Sequence, residues 1–236
     1  MAGVTHLRRS VSSPAGAAES GSASKRKPDR KGPSPGARAA GQDRERALDE
    51  VASQVAQCTR CEELARTRTQ TVFGVGDPRT RLVFMGEAPG ADEDRQGEPF
   101  VGRAGKLLTD IIEKGMGLRR QDVYILNTIK CRPPGNRTPS ATEAANCRPY
   151  LDAQLDIIQP QFICCLGAVA AQNLLATTAP LGKLRGRFFD YQGIRVICTY
   201  HPAYVLRYPE TKRKVWEDIQ MLMAEMGLKV PRRRDR

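Results

Sequence analysis

The sequence contains no run of about 18 apolar residues, the length a helix needs to cross a bilayer, so no membrane partner is expected. Its first residues lack the apolar stretch of a secretory leader. The expected compartment is therefore the cytoplasm, where thiols stay reduced. Residues 1–42 hold no Phe, Trp or Tyr and almost no large aliphatic residue. Such a segment buries too little apolar surface to offset its ordering entropy, and it is expected to be a disordered tail. Histidine is scarce, with only His6 and His201. No GK[ST] follows the glycine clusters, which excludes a P-loop.

What is present is 236 residues with a 40% hydrophobic fraction, enough for one domain with its own core plus spare chain. The formal charge is +12. Residues 1–46 carry ten Lys/Arg against four Asp/Glu, and the remainder carries 28 against 22. The body is therefore basic without the tail, which points to a polyanionic partner, with solubility as the plain alternative. The KRKPDRK stretch, Lys25 to Lys31, is able to touch nucleic acid non-specifically or simply to be solvated. Residues 229–236 form a short basic end.

Between these ends, residues 43–228 read as one domain acting as a monomer. The pattern predicts a helix over 44–57, then strands at 81–85, 122–127, 162–167 and 195–200. Helices are predicted at 103–114, from Ser140 to about Ile158 with Glu143 completing a capping box, over AVAAQNLL, and over 209–226. Alternating strands and helices imply a mostly parallel sheet covered on both faces. Ligands in such folds bind at the carboxyl ends of the strands. GEAPG, NTIKC and HPAY leave three of those ends.

Seven cysteines in a reducing compartment argue for ligation or buried thiols, not disulfides. Cys58 and Cys61 form C-x2-C, and Cys131 and Cys147 lie far downstream. One short pair plus two distant thiols can close a four-thiolate site, for which zinc and an iron–sulfur cluster both qualify, with four unrelated thiols as the plain alternative. Cys164, Cys165 and Cys198 sit in apolar strands and read as core.

The segment GEAPGADEDRQGEPFVGRAGKLL, residues 86–108, brings glycines and the carboxylates Glu87, Asp92, Glu93 and Asp94 together. It resembles motif one of the family 4 uracil-DNA glycosylases, the iron–sulfur branch of that superfamily. The resemblance continues through YILNTIKCRPPGNRTP (124–139), Cys147 and YHPAYVLR (200–207), and spans about residues 50–225. It implies a three-layer α/β/α sandwich with a central four-stranded parallel sheet, and a [4Fe–4S] cluster on Cys58, Cys61, Cys131 and Cys147. It also implies that Phe100 stacks on a flipped uracil, that Asn127 reads the uracil edge and that His201 stabilises the leaving base. Glu87 and Glu93 are its acidic positions, with Glu87 the first candidate to orient water. Gly86, Ala88 and Asn136 fall among its substrate contacts. Superfamily relatives outside this branch carry Asp or Asn where this chain has Ala88, so a glutamate must take over the water. The KRRIH-like insertion of covalently trapping relatives is absent.

The implied activity is hydrolysis of uracil from single- or double-stranded DNA, leaving an abasic site for base excision repair. The competing readings are a non-catalytic iron–sulfur nucleic-acid-binding protein, a redox protein, and a glycosylase acting more broadly on deaminated bases. Lys130, Arg132, Arg137 and Arg148 are candidates to grip phosphates. Val205, Leu206 and Arg207 come directly after HPAY, where an apolar side chain could wedge into the gap left by the base.

Overall fold

The central strands form because their residues are apolar on both faces, the signature of a strand buried between two layers. The computed structural model describes residues 35–230 and shows one mixed sheet. Its strands are β1 (Val75–Gly76), β2 (Leu82–Gly86), β3 (Tyr124–Asn127), β4 (Phe162–Leu166), β5 (Phe188–Tyr191) and β6 (Ile194–Thr199). Their order is β1-β3-β2-β4-β6-β5. The pairs β3–β2, β2–β4 and β4–β6 are parallel. The four expected parallel strands are thus the centre, and the sheet is wider than expected by two antiparallel edges, β1 and β5. β1 has only two residues and β5 is only partly buried, so neither carries the continuous apolar run that marks the inner strands.

The helices are α1 (Pro35–Ala56), α2 (Glu62–Thr67), α3 (Ala91–Gln96), α4 (Arg103–Asp110), α5 (Ala141–Ile158), α6 (Ala168–Leu175), α7 (Leu181–Leu184), α8 (Pro202–Arg207) and α9 (Lys212–Glu225). One core lies on the face of Phe84, Ile125, Cys164 and Ile197, against Leu108 of α4, Val205 of α8 and Ile219 and Leu222 of α9. The other lies on the face of Met85, Leu126, Cys165 and Cys198, against Leu48 of α1, Leu151 and Leu155 of α5 and Leu174 of α6. Neighbouring strand residues point to opposite cores, as the two-residue period of a strand requires. All three strand cysteines are fully buried, as their apolar setting predicts.

Two boundaries differ from the sequence reading. α1 begins at Pro35, upstream of the expected start near Arg44, so residues 35–42 are helical. Proline suits a first helical position, and alanine is the strongest helix former. The helix expected over 103–114 ends at Asp110 and continues as a π turn over Ile111–Gly115. The remaining tail expectation, residues 1–34 and 231–236, lies outside the described residues. Among the described residues, no helix is long and apolar enough to cross a membrane.

Candidate active site and a four-cysteine pocket

Four loops converge where the parallel strands end. β2 and β3 are registered so that Gly86 sits beside Asn127. Past Gly86 the chain carries Glu87, Ala88, Pro89 and Gly90 along the wall of an open cavity with about 1620 Å³ of free space. Phe100, Pro133, Asn136, Arg137, Gly167, Tyr200, His201, Tyr204 and Arg207 complete much of the wall. The loop after β4, which sequence reasoning passed over, contributes Gly167, Ala168 and Val169. Gly167 adopts a φ of 96°, which marks a turn only weakly visible in the residue pattern.

Asn127 is 2% exposed and sits beside Gly86, not in the wall of this cavity. Its Nδ2–Oδ1 amide has an acceptor, Oδ1, that is buried with no hydrogen-bond partner. Leaving such a group unpaired costs about 1–3 kcal/mol, so an orphan at a strand end points to a ligand that completes it. The missing side chain of Gly86 makes room there. A Cβ on Gly86 would collide with Asn127 Oδ1 and come to 2.7 Å from the Phe100 ring.

Phe100 holds its ring in place through an uncommon backbone, with φ at 56°. Gly105 packs so closely on the Phe100 carbonyl that any Cβ there would collide with it. Arg120 donates to the Pro99 carbonyl at 2.8 Å from the other side. Glu93 fixes the chain on either side of α3. Its Oε1 accepts the amides of Val101 (3.0 Å) and Gly102 (3.1 Å), and its Oε2 accepts that of Gly90 (3.1 Å). Its lone pairs are therefore largely committed to shaping the loop. Glu87 is freer. Burial raises its pKa above 4.5, and a hydrogen bond from the Thr138 hydroxyl opposes that rise. Asn136, also in the left-handed region at φ 56°, has its Oδ1 held by Arg132 Nε at 2.8 Å.

His201 caps α8, where Nδ1 accepts the Ala203 amide at 3.1 Å. That bond leaves the proton of the neutral ring on Nε2. Burial pushes its pKa down to about 4, with Glu93 opposing the shift. The ring lies 5.4 Å from that of Phe100, tilted by 30°. HPAY is thus the start of a short helix, not a loop. Val205, one of three residues expected near a wedge, is 2% exposed and belongs to the core; Leu206, at 43%, is the exposed apolar neighbour.

The second assembly lies beside the first. Cys58 comes just after α1, Cys61 caps α2, Cys131 lies beyond β3 and Cys147 sits on α5. All four line one pocket with about 290 Å³ of free space. Donors reach two of the sulfurs. Arg68 Nη1 reaches Cys131 Sγ at 3.0 Å and Asn146 Nδ2 reaches Cys61 Sγ at 3.5 Å. Tyr150 and Lys130 lie beside Cys58 and Cys147. Neutral thiols need no such shell, whereas thiolates bound to a metal or cluster do. Among the described residues, no three His, Cys, Asp or Glu close on one point as ligands of a single ion.

The expected phosphate grip is not carried by all four cations. Lys130 is 1% exposed and cannot meet a phosphate. Arg148 is engaged by Asp152 and the Tyr191 hydroxyl, both at 2.6 Å. Arg137 bridges Glu143 (2.6 Å) and Glu63 (2.7 Å), tying the loop of Asn136 to α2 beside the cysteines.

Residues 73–220 match the family model described as the uracil DNA glycosylase superfamily. The chain is 46% identical over 181 residues to a type-4 uracil-DNA glycosylase of Thermotoga maritima, covering 75% of this chain and 93% of that protein. It is 42% identical over 194 residues to that of Archaeoglobus fulgidus, covering 78% and 96%. The protein of the same name from Sulfurisphaera tokodaii is 40% identical over 183 residues, covering 74% and 83%. A shared family model over most of the folded chain, and relatives matched over nearly their whole length, decide membership: the chain belongs to the type-4 uracil-DNA glycosylases, hydrolases of the N-glycosidic bond.

Proposed function

We propose that the chain flips uracil out of DNA and hydrolyses the bond between uracil N1 and deoxyribose, leaving an abasic site. The observation that carries this reading is the buried, unpartnered Asn127 Oδ1 beside the side-chain-free Gly86. That oxygen accepts the uracil N3–H, and the Nδ2 amide donates to O4. Cytosine presents the opposite pattern and would leave both amide atoms facing like groups, which a buried site rejects strongly. The Phe100 ring stacks on the flipped base, as the chemistry of an extruded nucleotide requires.

Bond cleavage builds negative charge on the departing base and oxocarbenium character on the sugar. His201, neutral and with its proton on Nε2, donates to the base as charge builds. A fixed donor of this kind contributes about 3–4 kcal/mol in comparable oxyanion sites. Glu87 orients the attacking water and favours the cationic sugar, and its raised pKa makes it the better base. Ala88 offers no polar group for that task. Glu93 acts through the loop it holds, by keeping Phe100 and the motif-one backbone in register. Gly86 and Asn136 complete the substrate contacts.

Cys58, Cys61, Cys131 and Cys147 fit a [4Fe–4S] cluster: four thiols line one pocket, two of them met by hydrogen-bond donors, and among the described residues no three of them close on a single-ion point. Such a cluster would supply a covalent cross-link from α1 and α2 to α5 and the loop leaving Asn127. The reading makes the protein a cytoplasmic monomer acting on single- or double-stranded DNA.

The test is an oligonucleotide with a single uracil, with assay of free uracil and then alkaline cleavage of the strand. Stoichiometric release with cleavage at the uracil position is expected. No release with enzyme in excess over DNA would overturn the reading in favour of a non-catalytic protein.

A further inference from the structure

Lys130 has no obvious partner for its charge. Its side chain is 1% exposed, among the most buried large side chains described. Its Nζ donates to the main-chain oxygen of Asn127 at 2.8 Å and lies 6.0 Å from the centre of the Phe73 ring. Among the described residues, the ion pairs of the protein place no carboxylate within 4.0 Å of this ammonium. A buried ammonium with a single carbonyl acceptor is costly, and proteins tolerate one only where opposite charge is close. Burial disfavours its charge, but Lys130 lines the pocket of the four cysteines, and the thiols of Cys147 and Cys131 act in the opposite sense. The Lys130 carbonyl accepts the Val72 amide at 2.8 Å, which pins the backbone there, and its amide lies beside Cys147.

Four thiolates around an iron–sulfur core carry net negative charge, and a buried cation beside them neutralises part of it. The same cation holds the carbonyl of the residue whose amide faces the base. We propose that Lys130 is the buried counter-ion of the four-cysteine site and, through the Asn127 carbonyl, a positioning residue for reading uracil. The proposal rests on the functional reading above and adds a direction to it. Occupancy of the cysteine site sets where Lys130 sits, and Lys130 sets the end of β3. Lys130 itself touches neither base nor sugar.

The test uses the cluster-loaded full chain as wild type, Lys130→Met, Lys130→Gln and Lys130→Arg. The reduction potential of the cluster is measured by electrochemistry, and uracil and cytosine release are measured at single turnover. Removing the positive charge makes an added electron less welcome, so the Met and Gln variants should shift to a more negative potential. They should also lose roughly tenfold in uracil release and in the uracil-to-cytosine ratio, with little change in DNA affinity. Lys130→Arg keeps the charge and should keep the wild-type potential while losing part of the selectivity. Potentials unchanged in Met and Gln would overturn the counter-ion role, and unchanged selectivity would overturn the positioning role. Loss of cluster in every variant, with uracil release falling only in proportion, would reduce Lys130 to a packing residue and overturn both. If wild type itself lacks cluster and uracil release, it is the underlying functional reading that fails.

Discussion

Gly86 and Asn127 face each other across the β2–β3 pair, and the space that a methyl group on Gly86 would fill is the space beside Asn127 Oδ1 and the Phe100 ring. The smallest side chain added there obstructs both groups proposed to hold the base. Gly86→Ala should fold normally and lose about 100-fold in kcat, because a displacement near 1 Å at a reacting centre has that cost. Circular dichroism and single-turnover uracil release check this together. A fully active alanine variant would show that the pocket lies elsewhere.

His201 and Glu87 predict the acid side of the pH profile. The folded pKa of His201, about 4, lies below its ordinary 6.5. The unfolded chain therefore takes up this proton first, and the stability contributed by the neutral ring is full above about 6.5 and lost as pH falls towards 4. Activity should not fall at 6.5. The raised pKa of Glu87 should set the acid limb, at a pH above 4.5. Glu87→Gln should be slower and should flatten that limb. A limb centred near 6.5 in both proteins would mean that His201 titrates as an exposed histidine.

Val205 and Leu206 are neighbours with opposite consequences. Val205 is packed against α4 and α9 in the core, so Val205→Ala should cost about 1–3 kcal/mol of stability. Leu206 projects outward near Tyr204 and Tyr208, which form a tilted pair 4.6 Å apart. Leu206→Ala should leave thermal stability within about 0.5 kcal/mol of wild type and weaken action on duplex more than on single-stranded substrate. Equal loss on both substrates would remove Leu206 from strand separation.

Much of the fold was legible in residue order. Runs such as LVFM and FICCL are apolar at every position, and only a strand covered on both faces tolerates that, so the four inner strands could be read directly. Ser140 and Glu143 announced the start of α5 through a capping box that the structure contains. The edge strands were not legible, because β1 is two residues long and β5 is half-exposed. The site was visible as three loops at strand ends, since glycine, carboxylate, amide and imidazole cluster there. The commitment of Glu93 to loop amides was not visible. It depends on which backbone amides lie within 3.1 Å, and no spacing in the sequence encodes that. The fate of Lys130 was hidden for the same reason: a lysine beside a cysteine reads as surface charge until its burial is known.

Cys131 and Cys198 separate ligand from core. Cys131→Ser should lose the brown charge-transfer absorbance of the proposed cluster together with soluble yield, since that cluster would cross-link the loop after β3. Cys198→Ser, within the core of the same sheet, should keep the absorbance at some cost in stability. Retained absorbance in Cys131→Ser would remove that residue from the ligand set.

The central claim is that the Asn127 amide selects uracil for hydrolysis. Single-turnover release from otherwise identical uracil and cytosine oligonucleotides, by wild type and by Asn127→Ala, tests it most directly. Wild type should favour uracil by about 10⁴-fold, as expected of a site whose buried polar atoms are unpaired by the wrong base. Asn127→Ala should lose at least about 100-fold on uracil while keeping its fold and absorbance. Comparable release of both bases by wild type, or a wild-type rate in Asn127→Ala, would contradict the claim.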